Sequence, residues 1–299
     1  MTKLQERQSR LELNGRNGCK RWQKADMPKK SELNKTMETQ SMTVTELPYR
    51  IPDIFQEYEQ IVLIDVETTG LSIEENQIIE LAAVRHYRGA SELNEIKITI
   101  LIKLPEGEHI PKEILELTHI TDEMLESEGV SEQAAADTFL EIFLPAEKTL
   151  IIAHNAQFDL SFILKMLERH EKKIPVAFDI LDTFTILKDR KAYPHSLSDA
   201  IEYYQIEDVQ NSHRAMDDVK ALSEIVRYMK IEQNDLKDYV NLIGVHRVHG
   251  LWGEKLEGVS YVIQLLGLKT KRLPDFLKEG KRIYTEEKIK ETRPLNFKE

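Results

Sequence analysis

Hydrophobic and polar positions along this chain follow two periods, and the switches between them predict its elements. Ile61-Val-Leu-Ile64 is a run of four apolar residues, three of them Ile or Val, which fits a strand buried on both faces. Residues 77–87 fit a second strand, and 95–103, which opens in strict apolar–polar alternation, fits a third. The short links between them predict an antiparallel meander. Helical spacing then takes over. Proline opens a short helix over 111–117, Thr121 to Met124 starts another, and a longer one over 134–144 is closed by Pro145. A short buried strand over 149–153 ends at His154-Asn155, and the helix after it lines up Phe158, Phe162, Ile163, Met166 and Leu167 on one stripe. One more strand is expected over 176–180, with helices near 182–190, 196–204 and 213–230. A meander followed by alternating helices and strands predicts an α/β domain on a mixed sheet.

The pattern fades at both ends. Residues 1–47 are polar, with Gly15, Gly18 and the chain's one cysteine, Cys19, and are expected to be disordered or loosely helical. Beyond residue 231 the texture changes: six of the twelve glycines lie between Gly244 and Gly280, and Trp252 is one of two tryptophans. The expected division is a tail at 1–50, a main domain at 51–230 and a small module at 231–299. In that module Arg247, His246, His249, Trp252 and Tyr261 lie among glycines, as in a surface that stacks nucleic-acid bases or in a packed hairpin with a tryptophan anchor. No cysteines or further histidines cluster there to make His246 and His249 a zinc site.

Composition narrows the setting. No run of ~18 apolar residues is present to span a membrane, and the first residues lack the apolar segment of a secretory signal. With one cysteine, no disulfide forms within the 299-residue chain, and a reducing cytoplasm is the expected location. The net charge of -11 is uneven: residues 1–50 carry 11 Lys/Arg against 6 Asp/Glu, residues 51–230 carry 17 against 35, and the remainder 13 against 11. An acidic middle argues against a broad basic face for duplex DNA, but not against an enzyme that reaches phosphates through bound cations.

Candidate chemistry begins where the first buried strand meets Asp65 and Glu67. Side chains two apart on a strand leave the same face, so two carboxylates stand together, repelling and poorly hydrated unless a cation lies between them. Thr68-Thr69-Gly70 then turns the chain, with Gly70 expected to adopt a backbone geometry other residues resist. Asp159 sits in the first turn of its helix, and Asp218 shares an inward helical face with Ala215 and Leu222, while Asp217 points to water. An oxygen-rich site of this kind suits magnesium or manganese better than zinc. His213, five residues before Asp218, falls about 140° from its face on a continuous helix, so it belongs at the helix start or in the loop before it. There it suits a general base.

Three segments, Asp65-Val-Glu67-Thr-Thr-Gly70, His154-Asn-Ala-Gln-Phe-Asp159 and His213-Arg-Ala-Met-Asp-Asp218, resemble the three exonuclease motifs of the DEDDh family. These are 3′–5′ exonucleases of ribonuclease H-like fold, among them bacterial DNA polymerase III proofreading domains and ribonuclease T. Leu117 to Thr121, Leu181-Asp-Thr183 and His195-Ser-Leu197 are secondary matches. The resemblance covers roughly residues 58–230 and neither flank. It departs at His119, where relatives commonly have glycine. It implies two divalent cations, Mg2+ or Mn2+: Asp65 shared by both, Glu67 and Asp218 completing the first, Asp159 holding the second, with His213 as base. It further implies a slot for the 3′-terminal nucleotide along Thr68, Gly70 and Leu71, with Asn155 and Phe158 lining it and Leu71 as an apolar wedge. The expected partner is a single-stranded 3′ end, DNA favoured, with a polymerase or repair partner and no membrane. An RNA-trimming nuclease and a non-catalytic binding scaffold stay open.

Overall fold

The computed structural model describes residues 57–87, 96–145, 148–207, 213–246, 250–251, 253–264 and 271–284. The tail at 1–50 with Cys19, and Arg247, His249 and Trp252 of the C-terminal module, lie outside the described residues.

The apolar run around Ile61 becomes β1 (Gln60–Thr68), which takes the centre of a five-stranded sheet. It pairs antiparallel with β2 (Ile78–Tyr87), and β2 with the edge strand β3 (Ile96–Leu101), as the short links require. Two short helices follow, α1 (Lys112–Thr118) and α2 (Asp122–Glu128); Thr121 caps the second by accepting the Met124 N–H. The next helix, α3 (Glu132–Leu140), starts two residues before the predicted 134 and stops four before 144. Ser131 caps its start through the Ala134 N–H, and tighter turns closing on Phe139 and Leu140 end it well before Pro145.

On the other side of β1, β4 (Thr149–Ala153) pairs parallel with it, and β5 (Phe178–Asp182) parallel with β4. That fifth strand lies two residues beyond the predicted 176–180, because the register that pairs Thr149 with Phe178 carries the ladder as far as Asp182. The sheet order β3-β2-β1-β4-β5, with one antiparallel and one parallel side, is the mixed sheet expected from the resemblance. Helices cover both faces. On one, α3 and α4 (Ala156–Arg169) bring Phe139, Phe162, Ile163 and Met166 against Val62, Ile64 and Leu81. On the other, α5 (Thr183–Arg190), α6 (Leu197–Tyr204) and α7 (Ala215–Glu232) cover Ile61, Leu63, Ala82 and Val84 with Ile186, Leu197, Leu222 and Ile225. Burial of these stripes on both sides of β1 is the main stabilising term.

The C-terminal residues add a 3₁₀ turn (Leu236–Tyr239), then β6 (Leu242–His246), β7 (Ser260–Gln264) and α8 (Leu273–Lys278). β6 and β7 pair parallel, so this is not the hairpin envisaged from sequence; hairpin strands are antiparallel by construction. Nor does the segment stand apart. Leu242, Val262, Leu273 and Phe276 are buried in the same core as α7, and Gly244 N–H donates to Thr185 Oγ1 on α5.

Asn241 holds the join. At φ 55 its N–H donates to the Ile180 carbonyl, its Oδ1 accepts the Ile180 N–H at 2.8 Å and its Nδ2 donates to Asp179 at 2.6 Å. Asn241→Ala strands the Ile180 N–H and the Asp179 carboxylate and strains the left-handed backbone, for a loss of about 2–3 kcal/mol. Its melting temperature should fall by about 5–10 °C. Asn241→Gly, which removes the strain alone, should recover only part of that loss in the same thermal scan.

Candidate active site

Asp65 and Glu67 leave β1 on the face that α7 covers, one pleat beyond Ile61 and Leu63. Both are half-buried. Asp159, in the first turn of α4 and 3% exposed, reaches the strand end from the other direction: the Val66 N–H, between the two acidic residues, donates to its Oδ1 at 3.2 Å. Asp218 comes from the first turn of α7, buried beside Val219 and Leu222 as the helical face predicts, while Asp217 is half-exposed and pairs with Lys220. His213 precedes α7 in a left-handed conformation, φ 51, and is half-buried. It therefore sits in the loop, and the turn brings it back over the cluster. Glu67, His213 and Asp218 each place one potential ligand atom within 4.8 Å of the other two.

Electrostatics show how crowded this space is. Burial, then the charges of Asp159, Glu67 and Asp218, push the Asp65 carboxyl well above its ordinary range. Burial and Asp218 raise Glu67, and burial raises Asp159 despite the backbone N–H groups that favour its charged form. Asp218 is pushed up to about 7 by burial, Asp217 and Glu80. One of its oxygens, Oδ1, is buried without a hydrogen-bond partner. A buried orphan acceptor among carboxylates that resist ionisation fits a divalent cation, which supplies both the missing contact and the missing charge. The residues that would hold such ions are Asp65, Glu67, Asp159 and Asp218. His213 is shifted the other way: burial, then the nearby His119, holds its pKa below the usual histidine value, so it is neutral and able to accept a proton.

The expected substrate-slot residues lie at the end of β1 and on the turn after it, and at the start of α4. Thr68 is buried and donates to the Gly70 carbonyl at 2.6 Å. Gly70 is not at positive φ, so the backbone freedom expected of it is not what the position uses. The reason for glycine there is space, since a Cβ would lie 2.6 Å from Asn76 Oδ1, the atom that accepts the Ser72 N–H. Leu71 is 44% exposed at the tip of this turn. Asn155 is left-handed, φ 80, and Phe158 is half-buried against Phe162, ring centroids 4.9 Å apart.

Supporting residues were missed by the sequence reading. Glu80 on β2 lies opposite Glu67 in the ladder and is 1% exposed. Its carboxylate takes the Arg214 guanidinium in a fork, at 2.7 and 3.1 Å, and accepts the Ala215 N–H at 3.0 Å. It thereby caps α7, whose own N-cap residue, Arg214, makes no side-chain cap. The signal was present: Glu80 interrupts an apolar run as Asp65 does. Asp182 at the end of β5 accepts the N–H groups of Asn155, Ala156, Phe184 and Thr185, so one buried carboxylate opens both α4 and α5. Tyr261 of β7 donates to Gln157 Oε1 at 2.8 Å, and Gln157 Nε2 donates to the Glu254 carbonyl. Gly253, at φ +63, packs so close to Ile73 and Ser161 that no side chain fits. The C-terminal segment thus braces the first turn of α4 and the loop after Leu71. His119 occupies the left-handed cap of α1 at φ 58, a position that suits glycine, and its charge helps to lower the His213 pKa.

Two outcomes test this arrangement. Carboxyls whose folded pKa lies above the unfolded value of about 4 stabilise the fold below that pH and lose the effect as pH rises through the folded value. In chelator the melting temperature should therefore fall as pH rises from about 5 through 7, where Asp218 titrates. Saturating magnesium should flatten that slope; an unchanged profile would show that the cluster does not meet in the folded protein. Arg214→Ala leaves Glu80 buried and unpaired, and should cost about 3 kcal/mol in denaturant melts.

Comparison with known proteins places these features in a family. The RNase T exonuclease family matches residues 62–226. DNA polymerase III PolC-type of Clostridium perfringens (strain 13 / Type A) is 33% identical over 193 residues, which is 62% of this chain and 12% of that polymerase. Its counterpart in Mycoplasma genitalium is 31% identical over 179 residues, 58% of this chain and again 12% of the relative. The chain thus aligns with about an eighth of these curated relatives. Among solved structures, E. coli exonuclease I in complex with a dA16 oligonucleotide superposes with a TM-score of 0.51 at 21% identity, covering 60% of this chain and 42% of that one. At that identity the likeness speaks for the fold. With the acidic residues of three segments gathered at one end of a mixed sheet, the chain belongs to the RNase T exonuclease family.

Proposed function

We propose that this protein removes nucleotides one at a time from the 3′ end of single-stranded DNA, with two divalent cations, Mg2+ or Mn2+, releasing nucleoside 5′-monophosphates. The observation that carries the reading is the meeting of Asp65, Glu67, Asp159 and Asp218 with a neutral His213 at the open end of β1. The cations, when bound, neutralise the carboxylates and offset charge building on the scissile phosphate.

The chain's own groups do the rest. Asp65 and Glu67 fix the reaction centre to the rigid centre of the sheet. His213 accepts the proton of the attacking water as the new P–O bond forms and the P–O3′ bond breaks. The shortened strand leaves with its 3′-oxygen, which takes a proton from solvent. In this reading Leu71, exposed at its turn tip, wedges beneath the terminal base, and Asn155 and Phe158 line the slot. DNA is favoured because exonuclease I was solved with dA16 and dT13 oligonucleotides and the sequence relatives are DNA polymerases. The polymerase relatives also support a setting beside a polymerase or repair partner. Among the described residues no helix is long and apolar enough to cross a membrane.

Digestion of a 5′-labelled oligonucleotide, as DNA and as RNA, tests this directly. A magnesium-dependent ladder shortening from the 3′ end, abolished by chelator and faster on DNA, is the expected result. Faster cleavage of RNA would reassign the substrate, and no cleavage of either would leave a binding role. Asp65→Ala should abolish the ladder. His213→Ala should lower kcat by about 10²–10⁴-fold with little change in magnesium affinity; normal kcat in both variants would show the site to be misassigned.

A further inference from the structure

Strands β1, β4 and β5 run parallel, so their C-terminal ends share one edge of the sheet, and α5 opens at that edge directly after β5. A row of rings runs from there toward solvent. His154, the residue before Asn155, packs edge-on against Phe184 with centroids 5.5 Å apart; Phe184 meets His195 at 6.4 Å, and His195 meets Tyr193 at 5.9 Å. Hydrogen bonds fix the row, since His154 Nε2 donates to the His195 carbonyl and His195 Nε2 to the Lys191 carbonyl, both at 2.9 Å. His195 is buried, whereas Tyr193 at the outer end is 58% exposed, more than any other large hydrophobic side chain among the described residues. Two cations flank the row. Lys188 Nζ stands 4.7 Å from the centre of the Phe184 ring, and Lys191 Nζ 4.9 Å from that of Tyr203. Both are half-buried, and neither forms an ion pair among the described residues; Lys191 donates to the Asp199 carbonyl instead. Asp182 favours the Lys188 charge, but its oxygens are taken by the opening amides of α4 and α5. In a stretch with 17 Lys/Arg against 35 Asp/Glu, half-buried ammonium groups without a carboxylate call for an anion from outside.

We propose that Tyr193, Lys188 and Lys191 form a second subsite for single-stranded nucleic acid, one that grips nucleotides beyond the terminal one. A base stacks on the Tyr193 ring, and backbone phosphates take the two lysines. That the strand ends in the catalytic cleft rests on the exonuclease reading; the subsite itself rests on the rings and the cations. Every base has a π-face, and a lysine meets any phosphate, so the grip is indifferent to sequence. β5 lies two strands from β1, about 10 Å away, a span of about three nucleotides at about 3.4 Å each. A single nucleotide in the terminal slot therefore cannot reach the subsite, and a longer strand can.

The test measures binding of a fluorescently labelled oligothymidylate, about 12 nucleotides long, to the full chain in chelator. Turnover of the same strand in magnesium is followed alongside. Tyr193→Ala should weaken binding at least about fivefold and raise KM by the same factor with kcat unchanged. Inhibition by thymidine 5′-monophosphate, which occupies the terminal slot alone, should stay as in the native chain. Tyr193→Phe, which keeps the ring, should bind like the native chain. Lys188→Gln and Lys191→Gln should each flatten the slope of log affinity against log salt by about 0.7. Native affinity in Tyr193→Ala, with native salt slopes in both lysine variants, would overturn the subsite. So would an equal loss of affinity for the monophosphate, which would trace the effect to the slot through His195 and Asn155. If the native chain shortens DNA while these variants bind as it does, the subsite alone fails; if it binds the strand through Tyr193 and never shortens it, the exonuclease reading alone fails.

Discussion

Mutual repulsion among carboxylates that the fold keeps from water is the constraint around which this molecule is arranged. Asp65, Glu67, Asp159 and Asp218 come from a strand and two helices, and the other three each raise the cost of ionising Asp65. Left to itself such a cluster would spread apart. It is held because every support is stiff: β1 is buried on both faces at the sheet centre, and α4 and α7 begin within a turn of their acidic residues. The strain so stored is available to whatever cation relieves it, which makes metal binding a structural event as well as a catalytic one.

Two further buried carboxylates make that possible without joining the cluster. Glu80 is matched by Arg214 and by the first amide of α7, so it positions the helix even as its charge adds to the repulsion that raises Asp218. Asp182 spends its oxygens on the opening amides of α4 and α5. Both are helix caps supplied from a neighbouring strand. They convert the sheet's register into the angular placement of His213, Asn155 and Asp159, so a one-residue slip in β2 or β5 would be felt at the site.

The C-terminal segment belongs to this logic too. Its parallel pair β6–β7 continues the core of α7 and reaches back through Tyr261 and Gln157 to the turn that carries Asp159. It lies beyond residues 62–226, where the family match ends, yet it touches the loop and helix turn that flank the expected nucleotide slot. Gly253 lies tight against Ile73 and Ser161.

What the sequence by itself determined is whatever depends on neighbours along the chain. The four-residue apolar run fixed β1, the i, i+2 spacing put Asp65 and Glu67 on one face, and the helical offset put Asp218 inward and His213 outside the helix. Caps at Pro111 and Thr121 set helix starts for the same reason. Tertiary structure decided everything that depends on partners distant in sequence. Glu80 looked like one more charge until a residue 134 positions away met it, and the parallel pairing of β6 with β7 is set by docking against α5 and α7 instead of by a turn. Gly70 is glycine because of Asn76, and β5 starts at Phe178 because β4 dictates the register. Local periodicity records which face a residue takes; only packing decides which other face it meets, since that choice is made by burial and charge pairing across the whole molecule.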